Sequence, residues 1–300
     1  MDRIVNPCEY DYITRNKIME ELCKKYPFIK KSIIGKSCLG HDIKALKIGS
    51  TQGYCLIAAA FHGSERITAT VLLMFIENLC RAIAEDGIIA GLKARRALVG
   101  RGVIFVPCVN PDGCDISLLG TKAAGNRATE IAKLCKNDCT HWNSNLRGVD
   151  INHNFNAGWE ELRKLERESG IYGPAPTRFG GFAPESEPET KALTELCRRT
   201  EMRHVIALHS QGEVIYWSYG AKKIPRARKM AEIMATSSGY ALDVPIGLAA
   251  GGGFKDWFIT EFSRPGFTVE LGLGENPLPI EDTEKIYNRV EEMLMLCAIM

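Results

Sequence analysis

Two histidines and two glutamates lie at the ends of predicted strands in this chain. His62 and Glu65 follow the unbroken apolar run at residues 54–61, which is typical of a strand buried on both faces of a parallel sheet. His209 ends a short apolar strand, and Glu270 ends a later one. Open α/β sheets place their sites beyond the carboxyl ends of strands. We therefore expect these four side chains to meet at one edge of a sheet.

Three of these side chains have the chemistry of zinc ligands. A catalytic zinc ion takes three protein ligands and keeps a further position open. His62 and Glu65, which lie three positions apart, fit a pair of ligands close in sequence, and His209 fits the distant third. A single spacing of this kind can arise by chance. His209 taken alone could equally be a core histidine whose ring nitrogens are satisfied.

Glu270 has the position expected of a general base. The glutamate ends the otherwise apolar run at residues 266–270, where an ionised side chain is costly unless it is paired or functional. A carboxylate beside a metal-activated water can take its proton and pass it to a leaving amine. The alternative interpretation is a structural salt bridge at the end of the sheet.

The loop at residues 147–155 offers groups for substrate binding. It supplies a cation, Arg147, and several amides, among them Asn152. Such groups suit the binding of a peptide and of its developing oxyanion, and we expect His153 to take part as well. The alternative is a loop held together by Asn and Asp side-chain hydrogen bonds.

The elements that must position these residues alternate along the chain. Helices are predicted at residues 10–26, 67–85, 187–199, 224–238 and from 281 to the end. Strands are predicted at 32–34, 43–48, 54–61, 102–107, 204–208 and 266–269. This alternation predicts an α/β fold with a doubly wound, mostly parallel mixed sheet and helices on both faces. We expect one catalytic domain that spans residues 1–300.

Two connecting segments receive their own predictions. Residues 110–113, Asn-Pro-Asp-Gly, have the composition of a turn. Residues 115–185 are rich in Gly, Asn, Pro and charge, which predicts a long irregular insertion of the kind that usually carries function.

Composition and charge argue against several other classes. Apolar residues make up 45% of the chain and charged residues 25%, and the net charge is +2. These values are ordinary for a soluble globular protein and imply neither a nucleic-acid nor a membrane partner. The first residues show no signal-peptide core, and no stretch approaches the roughly 18 apolar residues of a membrane span.

Cysteine usage favours a reducing compartment. The chain has eleven cysteines, an odd number, and several of them lie inside apolar runs. Reduced core thiols in a cytoplasmic protein explain this pattern better than a disulfide framework. Cys135 and Cys139 have metal-ligand spacing, but no second Cys or His pair stands nearby, which argues against a zinc site there.

Five motifs keep their order along most of the chain, namely His62-x-x-Glu65, the Gly-Val-Asp-x-Asn that ends at Asn152, His209-Ser210, Asp256-Trp257 and Glu270-Leu271-Gly272. This ordered set resembles the zinc metallocarboxypeptidase family. The resemblance implies one zinc ion bound by His62, Glu65 and His209, with Glu270 as the general base.

Three further segments are similar to one bacterial group within that family, the γ-D-glutamyl-L-diamino-acid endopeptidases I. They are residues 173–189, 252–258 and 272–279. The similarity implies hydrolysis of the bond between γ-D-glutamate and a diamino acid, usually meso-diaminopimelate, in the stem peptides of peptidoglycan. We expect a cytoplasmic enzyme that acts on imported muropeptides or cell-wall precursors.

Three departures from the digestive members bear on the substrate. Those enzymes follow the loop asparagine with an arginine that grips a terminal carboxylate, and His153 stands at that place. They carry a tyrosine eight residues before the Asp-Trp pair, where this chain has Leu248. Their oxyanion arginine falls near Asn143, and Arg147 is a nearby substitute. A neutral histidine makes no bidentate carboxylate clamp, which disfavours simple removal of C-terminal residues.

Two other functions remain open on the sequence alone. One keeps the fold and changes the reaction to that of a carboxypeptidase or an amide deacylase on other small substrates. The other is a metal-binding or scaffold protein without catalysis. Glu270 beside a complete ligand set argues against the second, because a binding module has no need of a base.

Overall fold

A computed structural model describes residues 3–49 and 53–300, and its framework is an eight-stranded sheet. The strands of this sheet are β1 (Lys30–Lys36), β2 (Asp42–Gly49), β3 (Tyr54–Ala59), β6 (Gly102–Val106), β7 (Met202–His209), β8 (Val214–Tyr216), β9 (Ala241–Asp243) and β10 (Gly266–Glu270). β4 (Ile88–Ile89) and β5 (Leu92–Lys93) form a separate hairpin. The order across the large sheet is β1-β2-β6-β3-β7-β10-β8-β9.

The middle of the sheet is parallel and its flanks are partly antiparallel. β3 pairs in parallel with β6 and β7, and β7 pairs in parallel with β10. The pairs β1–β2, β2–β6 and β8–β10 are antiparallel. Glu270 lies opposite His209 in the register of β10 and β7, while β3 runs along the other side of β7. The sheet therefore brings the carboxyl ends of three neighbouring strands to one edge.

Helices cover both faces of the sheet, as predicted. They are α1 (Tyr12–Lys25), α2 (Ile67–Ala84), α3 (Ala94–Ala97), α4 (Pro111–Leu119), α5 (Ala128–Leu134), α6 (Trp159–Glu168), α7 (Pro188–Arg199), α8 (Ala227–Ser238), α9 (Phe254–Phe262) and α10 (Thr283–Ile299). One core lies between the sheet and α1, α2, α8 and α10, and the other between the sheet and α7 and α9. Each large apolar side chain buried there contributes about 1.5–3 kcal/mol.

The helix α2 is the most apolar segment of the fold. Together with the turn before it, it is long and apolar enough by composition to cross a membrane, yet most of it is buried inside the protein. It packs against α10 and β3. A helix with so few polar residues is expected where protein surrounds it, so we assign α2 to the core.

Residues 110–113, predicted as a turn, begin the helix α4. Asn110 caps this helix because its side chain accepts a hydrogen bond from the backbone N–H of Gly113 at 2.9 Å. Pro111 occupies the first helical position, where its missing N–H costs nothing. The residues that favour a turn are also those that favour a helix N-terminus, so this segment is ambiguous in sequence.

The insertion at residues 115–185 is partly helical, in contrast to the irregular segment predicted. It contains α5 and α6, and its N-terminal half has a small core of its own around Ile131 and Trp142. The buried residues of α6 are Leu162, Arg163 and Glu166. Two of these three are charged, so the buried face of this helix is partly polar.

A buried polar cluster joins the insertion to the start of α7. Asn145 donates through Nδ2 to Glu187 at 2.8 Å and to Glu189 at 3.1 Å, and the backbone N–H of Cys38 donates to Glu189 at 3.2 Å. Burial raises the pKa of Glu189 to about 7. The charges of Asp112 and Glu187 also raise this pKa, whereas the hydrogen bond from Asn145 lowers it. Glu189 therefore gains a proton near neutral pH.

We expect this carboxyl group to make stability depend on pH. The folded pKa of Glu189 is about 7 and the reference value is 4.5, so its contribution is fully present below pH 4.5 and is lost as pH rises through 7. The difference between these two pKa values corresponds to about 3 kcal/mol of folding free energy. Glu189→Gln should lack this loss between pH 5 and pH 8, as measured by urea unfolding with chelator present. The exposed Glu195→Gln on the same helix is the control, and equal pH slopes for wild type and Glu189→Gln would refute the assignment.

Candidate metal centre and active site

A tight turn after β3 carries the first two predicted ligands. His62 precedes the 3-10 turn Gly63–Glu65, which leads directly into α2. A Cβ atom at Gly63 would lie 2.3 Å from the carbonyl oxygens of both Gly113 and Trp142, so only glycine fits there. The close approach holds the turn against the insertion and points the side chains of His62 and Glu65 to the same side.

The structure brings His62, Glu65 and His209 together. Nδ1 of His62 lies 2.7 Å from Oε1 of Glu65, and Nδ1 of His209 lies 3.0 Å from Oε2 of the same carboxylate. The two Nδ1 atoms are 3.3 Å apart. All three residues offer ligand atoms within 4.8 Å of one another.

This arrangement fits a divalent cation. Ligand atoms about 2.1 Å from a tetrahedral zinc ion lie roughly 3.4 Å apart, close to the observed separation of the two imidazole nitrogens. The two ring nitrogens and the buried carboxylate converge on a single point. A cation at that point would contact all three groups, whereas one proton cannot. Two histidines and one carboxylate are a ligand set typical of catalytic zinc.

The charges of the cluster are strongly coupled. Burial favours the neutral form of Glu65, but the neighbouring His62 and His209 outweigh it and lower the pKa of the carboxyl group to about 2. Burial alone would lower the pKa of His62, yet Glu65 and Asp150 raise it well above the usual value. Burial lowers the pKa of His209, against the effect of Glu65. Metal binding should therefore displace a proton from His62.

Asp150 orients His62, a role that was not predicted from the sequence. Nε2 of His62 lies 3.0 Å from Oδ1 of Asp150, which is almost completely buried. Donation from Nε2 to the carboxylate leaves the lone pair of Nδ1 for a cation, the usual support of a metal-bound histidine. The sequence signal for this role is the aspartate of the Gly-Val-Asp motif, which stands two residues before the predicted Asn152.

We expect Asp150→Asn to weaken zinc binding by about 10- to 100-fold, because the amide no longer enforces the tautomer of His62. Competition with a chromogenic chelator measures the zinc Kd directly. Asp138→Asn, at an exposed position in the same insertion, is the matched control and should retain the wild-type Kd. An unchanged Kd in Asp150→Asn would show that the ligand needs no such support.

Glu270 faces the ligand cluster from the next strand. It is partly exposed to a cavity of about 270 Å³ that the three predicted ligands also line. Burial and the charge of Glu65 raise the pKa of Glu270 well above its usual range, while His62 opposes the shift. A cation on the ligands would favour the charged form. The position suits a group that accepts a proton and then gives it up.

The structure does not bring Arg147 to this cavity. The side chain of Arg147 is half exposed, and its guanidinium lies 3.7 Å from the carboxylate of Glu187. The side chain of Asn145 accepts hydrogen bonds from the N–H groups of Arg147 and Val149, and the turn that results directs Arg147 outward. The predicted contact of Arg147 with substrate therefore lacks support from the geometry.

Asn152 and His153, the other predicted substrate-binding residues, line the cavity. Oδ1 of Asn152 accepts a hydrogen bond from the backbone of Phe254 at 3.0 Å, which leaves the amide N–H groups as donors. Nδ1 of His153 lies 2.8 Å from Oε1 of the buried Glu166. Burial lowers the pKa of His153, against the attraction of Asp150, so the ring is neutral near pH 7.

Further residues without a predicted role line the cavity, among them Asn143, Arg178 and Lys255. Lys255 is buried, donates to the carbonyl oxygen of Ser218 at 2.8 Å and pairs with Asp256. Asn143 accepts a hydrogen bond from the hydroxyl of Ser64. Arg178 follows no periodic pattern, so only the folded loop reveals its place.

Comparison with known proteins identifies the family of the chain. The sequence profile of the family described as zinc carboxypeptidase matches residues 16–295. The γ-D-glutamyl-L-diamino acid endopeptidase 1 of Lysinibacillus sphaericus is 36% identical over 291 residues, which cover 95% of this chain and 71% of that protein. Carboxypeptidase B of Rattus norvegicus is 26% identical over 261 residues, 81% of this chain and 58% of the relative.

The fold also matches that of a solved structure. The crystal structure of thrombin activatable fibrinolysis inhibitor matches with a TM-score of 0.75 at 18% identity, over 99% of this chain and 76% of the other. At that identity the similarity concerns the fold alone. The profile match and the bacterial relative cover nearly the whole chain, and from them it follows that the chain belongs to the zinc carboxypeptidase family of metallopeptidases.

Proposed function

We propose that the protein hydrolyses the bond between γ-D-glutamate and the diamino acid, meso-diaminopimelate in particular, of peptidoglycan stem peptides. The observation that carries the chemistry is the cluster of His62, Glu65 and His209 with Glu270 beside it in one cavity. The similarity to the Lysinibacillus sphaericus endopeptidase supports the choice of substrate.

The proposed mechanism assigns the proton transfers to Glu270. A zinc ion held by His62, Glu65 and His209 would supply Lewis-acid activation of a carbonyl group and of water. Glu270 takes the proton from the attacking water and hands it to the leaving amine, and burial, which raises its pKa, makes it a stronger acceptor of that proton.

Two amides of the cavity wall are suited to hold the peptide. Oδ1 of Asn152 is taken by the backbone of Phe254, and Oδ1 of Asn143 by the hydroxyl of Ser64. Each side chain therefore has N–H groups to donate toward substrate carbonyl oxygens. Donors fixed in this way stabilise developing negative charge without reorganisation.

Two cationic side chains on the cavity wall support an acidic substrate. A stem peptide carries the α-carboxylate of D-glutamate and the carboxylates of the diamino acid close to the scissile bond. Arg178 and Lys255 line the cavity and attract such groups, although Lys255 is already paired with Asp256. The neutral His153 provides no clamp for the terminal carboxylate of an ordinary peptide.

Mass spectrometry of products from L-Ala-γ-D-Glu-meso-diaminopimelate tests the proposal. We expect L-Ala-D-Glu and free diaminopimelate, in a reaction that a chelator stops and zinc restores. An α-linked peptide with a blocked C-terminus is the control and should remain intact. Cleavage of unblocked α-linked peptides alone would instead favour the second candidate, a carboxypeptidase or a deacylase of small substrates. The similarity to carboxypeptidase B supports this candidate.

We also propose that the enzyme works in the cytoplasm, in turnover or recycling of wall peptides. All eleven cysteines lie in the described ranges and are free thiols, most of them buried, which suits a reducing compartment. Fractionation of cells with an antibody tests this, and recovery from the medium or the wall fraction would refute it.

A further inference from the structure

We infer that Arg178 binds a carboxylate of the substrate and thereby sets the specificity of the site. The inference rests on the proposed function, because it requires a peptide with a carboxylate beside the scissile bond. It is carried by three observations: how the backbone of Arg178 is held, where its side chain lies, and which partners the other cations have.

Buried polar groups hold the backbone on both sides of Arg178. Oδ2 of Asp150 accepts a hydrogen bond from the N–H of Arg178 at 2.9 Å, and the N–H of Asp150 donates to the carbonyl oxygen of Phe179 at 2.8 Å. One residue further on, the N–H of Gly180 donates to Oε2 of Glu166 at 3.1 Å. Asp150 also orients His62, so the loop is fixed directly to the predicted metal centre.

Arg178 is held in the left-handed region of backbone space, with φ at 63°. A residue with a Cβ atom rarely adopts this conformation, and it persists where the surroundings impose it. Such positions concentrate at binding and active sites. Here Asp150 bonds to the N–H of Arg178 itself and Glu166 to that of Gly180, so the backbone is held at and just after this conformation.

The side chain of Arg178 is exposed and lines the cavity with His62, Glu270 and His153. Burial and, to a smaller extent, the charge of Arg178 lower the pKa of His153. The cation therefore lies close to the imidazole that cannot itself bind a carboxylate with two parallel hydrogen bonds.

Two other cationic side chains in this region already have acidic partners. Lys255 pairs with Asp256, and Arg147 lies outside the cavity near Glu187. Among residues 3–49 and 53–300, no acidic side chain forms an ion pair with Arg178. A planar guanidinium without such a partner, at the wall of a reaction cavity, is suited to bidentate contact with a carboxylate.

A substrate series and three variants test the inference. The substrates are the free tripeptide L-Ala-γ-D-Glu-meso-diaminopimelate and two amides, one at the α-carboxyl group of glutamate and one at the diaminopimelate carboxyl group next to the scissile bond. Arg178→Gln should lower kcat/KM on the free tripeptide by about 10- to 100-fold, mainly through KM. The kcat/KM of Arg178→Lys on this substrate should lie between the values for the wild type and Arg178→Gln. Arg167→Gln removes an exposed charge from the same insertion and should behave as wild type.

The amides identify which carboxylate is bound. When that carboxylate is converted to an amide, the kcat/KM of the wild type should fall by about 10- to 100-fold. Arg178→Gln should cleave the acid and the amide at similar rates. Zinc content is measured for every variant. If Arg178→Gln loses zinc, the comparison of Arg178→Lys on the acid and both amides decides, because that variant keeps a charge and should keep a reduced preference for the acid.

The outcomes separate the inference from the proposed function. Wild-type kinetics in zinc-loaded Arg178→Gln, or equal discrimination against the amides by both proteins, would overturn the role of Arg178 and leave the function standing. If the wild type does not cleave the tripeptide and the catalytically impaired Glu270→Gln does not bind it in calorimetry, the proposed function is wrong and the inference falls with it.

Discussion

Glu270→Gln is expected to lose nearly all hydrolysis while the protein keeps its zinc. Glutamine has the size and shape of glutamate, but its amide accepts no proton from an attacking water. Loss of a positioned general base lowers kcat by about 10²- to 10⁴-fold. The three predicted ligands are untouched, because Glu270 is not among the residues whose ligand atoms converge. Steady-state kinetics and metal analysis of the same preparation measure both quantities.

Glu275→Gln is the matched control for that variant. Glu275 is an exposed glutamate in the loop just after the same strand, and its substitution should leave kcat at the wild-type value. A near-wild-type rate in Glu270→Gln would show that another group serves as base. Loss of zinc together with activity would show that Glu270 supports the metal rather than the proton transfer.

His62→Ala is expected to lose both zinc and activity. The substitution removes one of three ligands and leaves two buried carboxylates, Glu65 and Asp150, without the imidazole that lies between them. An uncompensated buried charge is strongly destabilising, so we also expect a lower free energy of unfolding. Metal analysis after dialysis, together with urea unfolding, measures the two effects.

His141→Ala controls for the loss of a histidine as such, because His141 is exposed in the insertion. It should retain zinc in a one-to-one ratio, whereas His62→Ala should contain far less. Stoichiometric zinc in His62→Ala would refute the assignment of the ligand, even if hydrolysis were lost.

The architecture of the sheet could be predicted because its signals are local and strong. Apolar runs such as residues 54–61 identify buried strands, and alternation with helices predicts a wound sheet, which the structure confirms. His62, His209 and Glu270 each lie at or just past the end of such a run. Parallel strands share an edge, so simple geometry already places these side chains near one another.

The wall of the cavity could not be predicted in the same way. Arg178 lies in a loop whose path depends on Asp150 and Glu166, which are distant in sequence. The helix that supplies Glu166 buries charged residues, and the sequence does not show which loop they contact. Contacts between loops depend on tertiary bonds that no spacing along the chain records.

Arg147 shows why closeness in sequence is a poor guide inside a loop. It lies only three positions before Asp150, yet the two side chains serve different regions of the protein. The backbone N–H of Asn145 bonds to the carbonyl oxygen of Val149, and this turn sends the intervening Arg147 toward solvent. A single reversal of the backbone therefore separates a metal-supporting residue from a surface residue.

The glycine turn under the metal centre has a consequence for how such enzymes diversify. The start of α4 and the insertion meet Gly63 through main-chain atoms, namely the carbonyl oxygen of Gly113 and those of Trp142 and Asn143. Main-chain contacts are indifferent to side-chain identity, provided that the backbone keeps its path. The insertion can therefore exchange the residues that recognise substrate while the ligands stay in place, so selectivity and hydrolytic chemistry can evolve as separate modules.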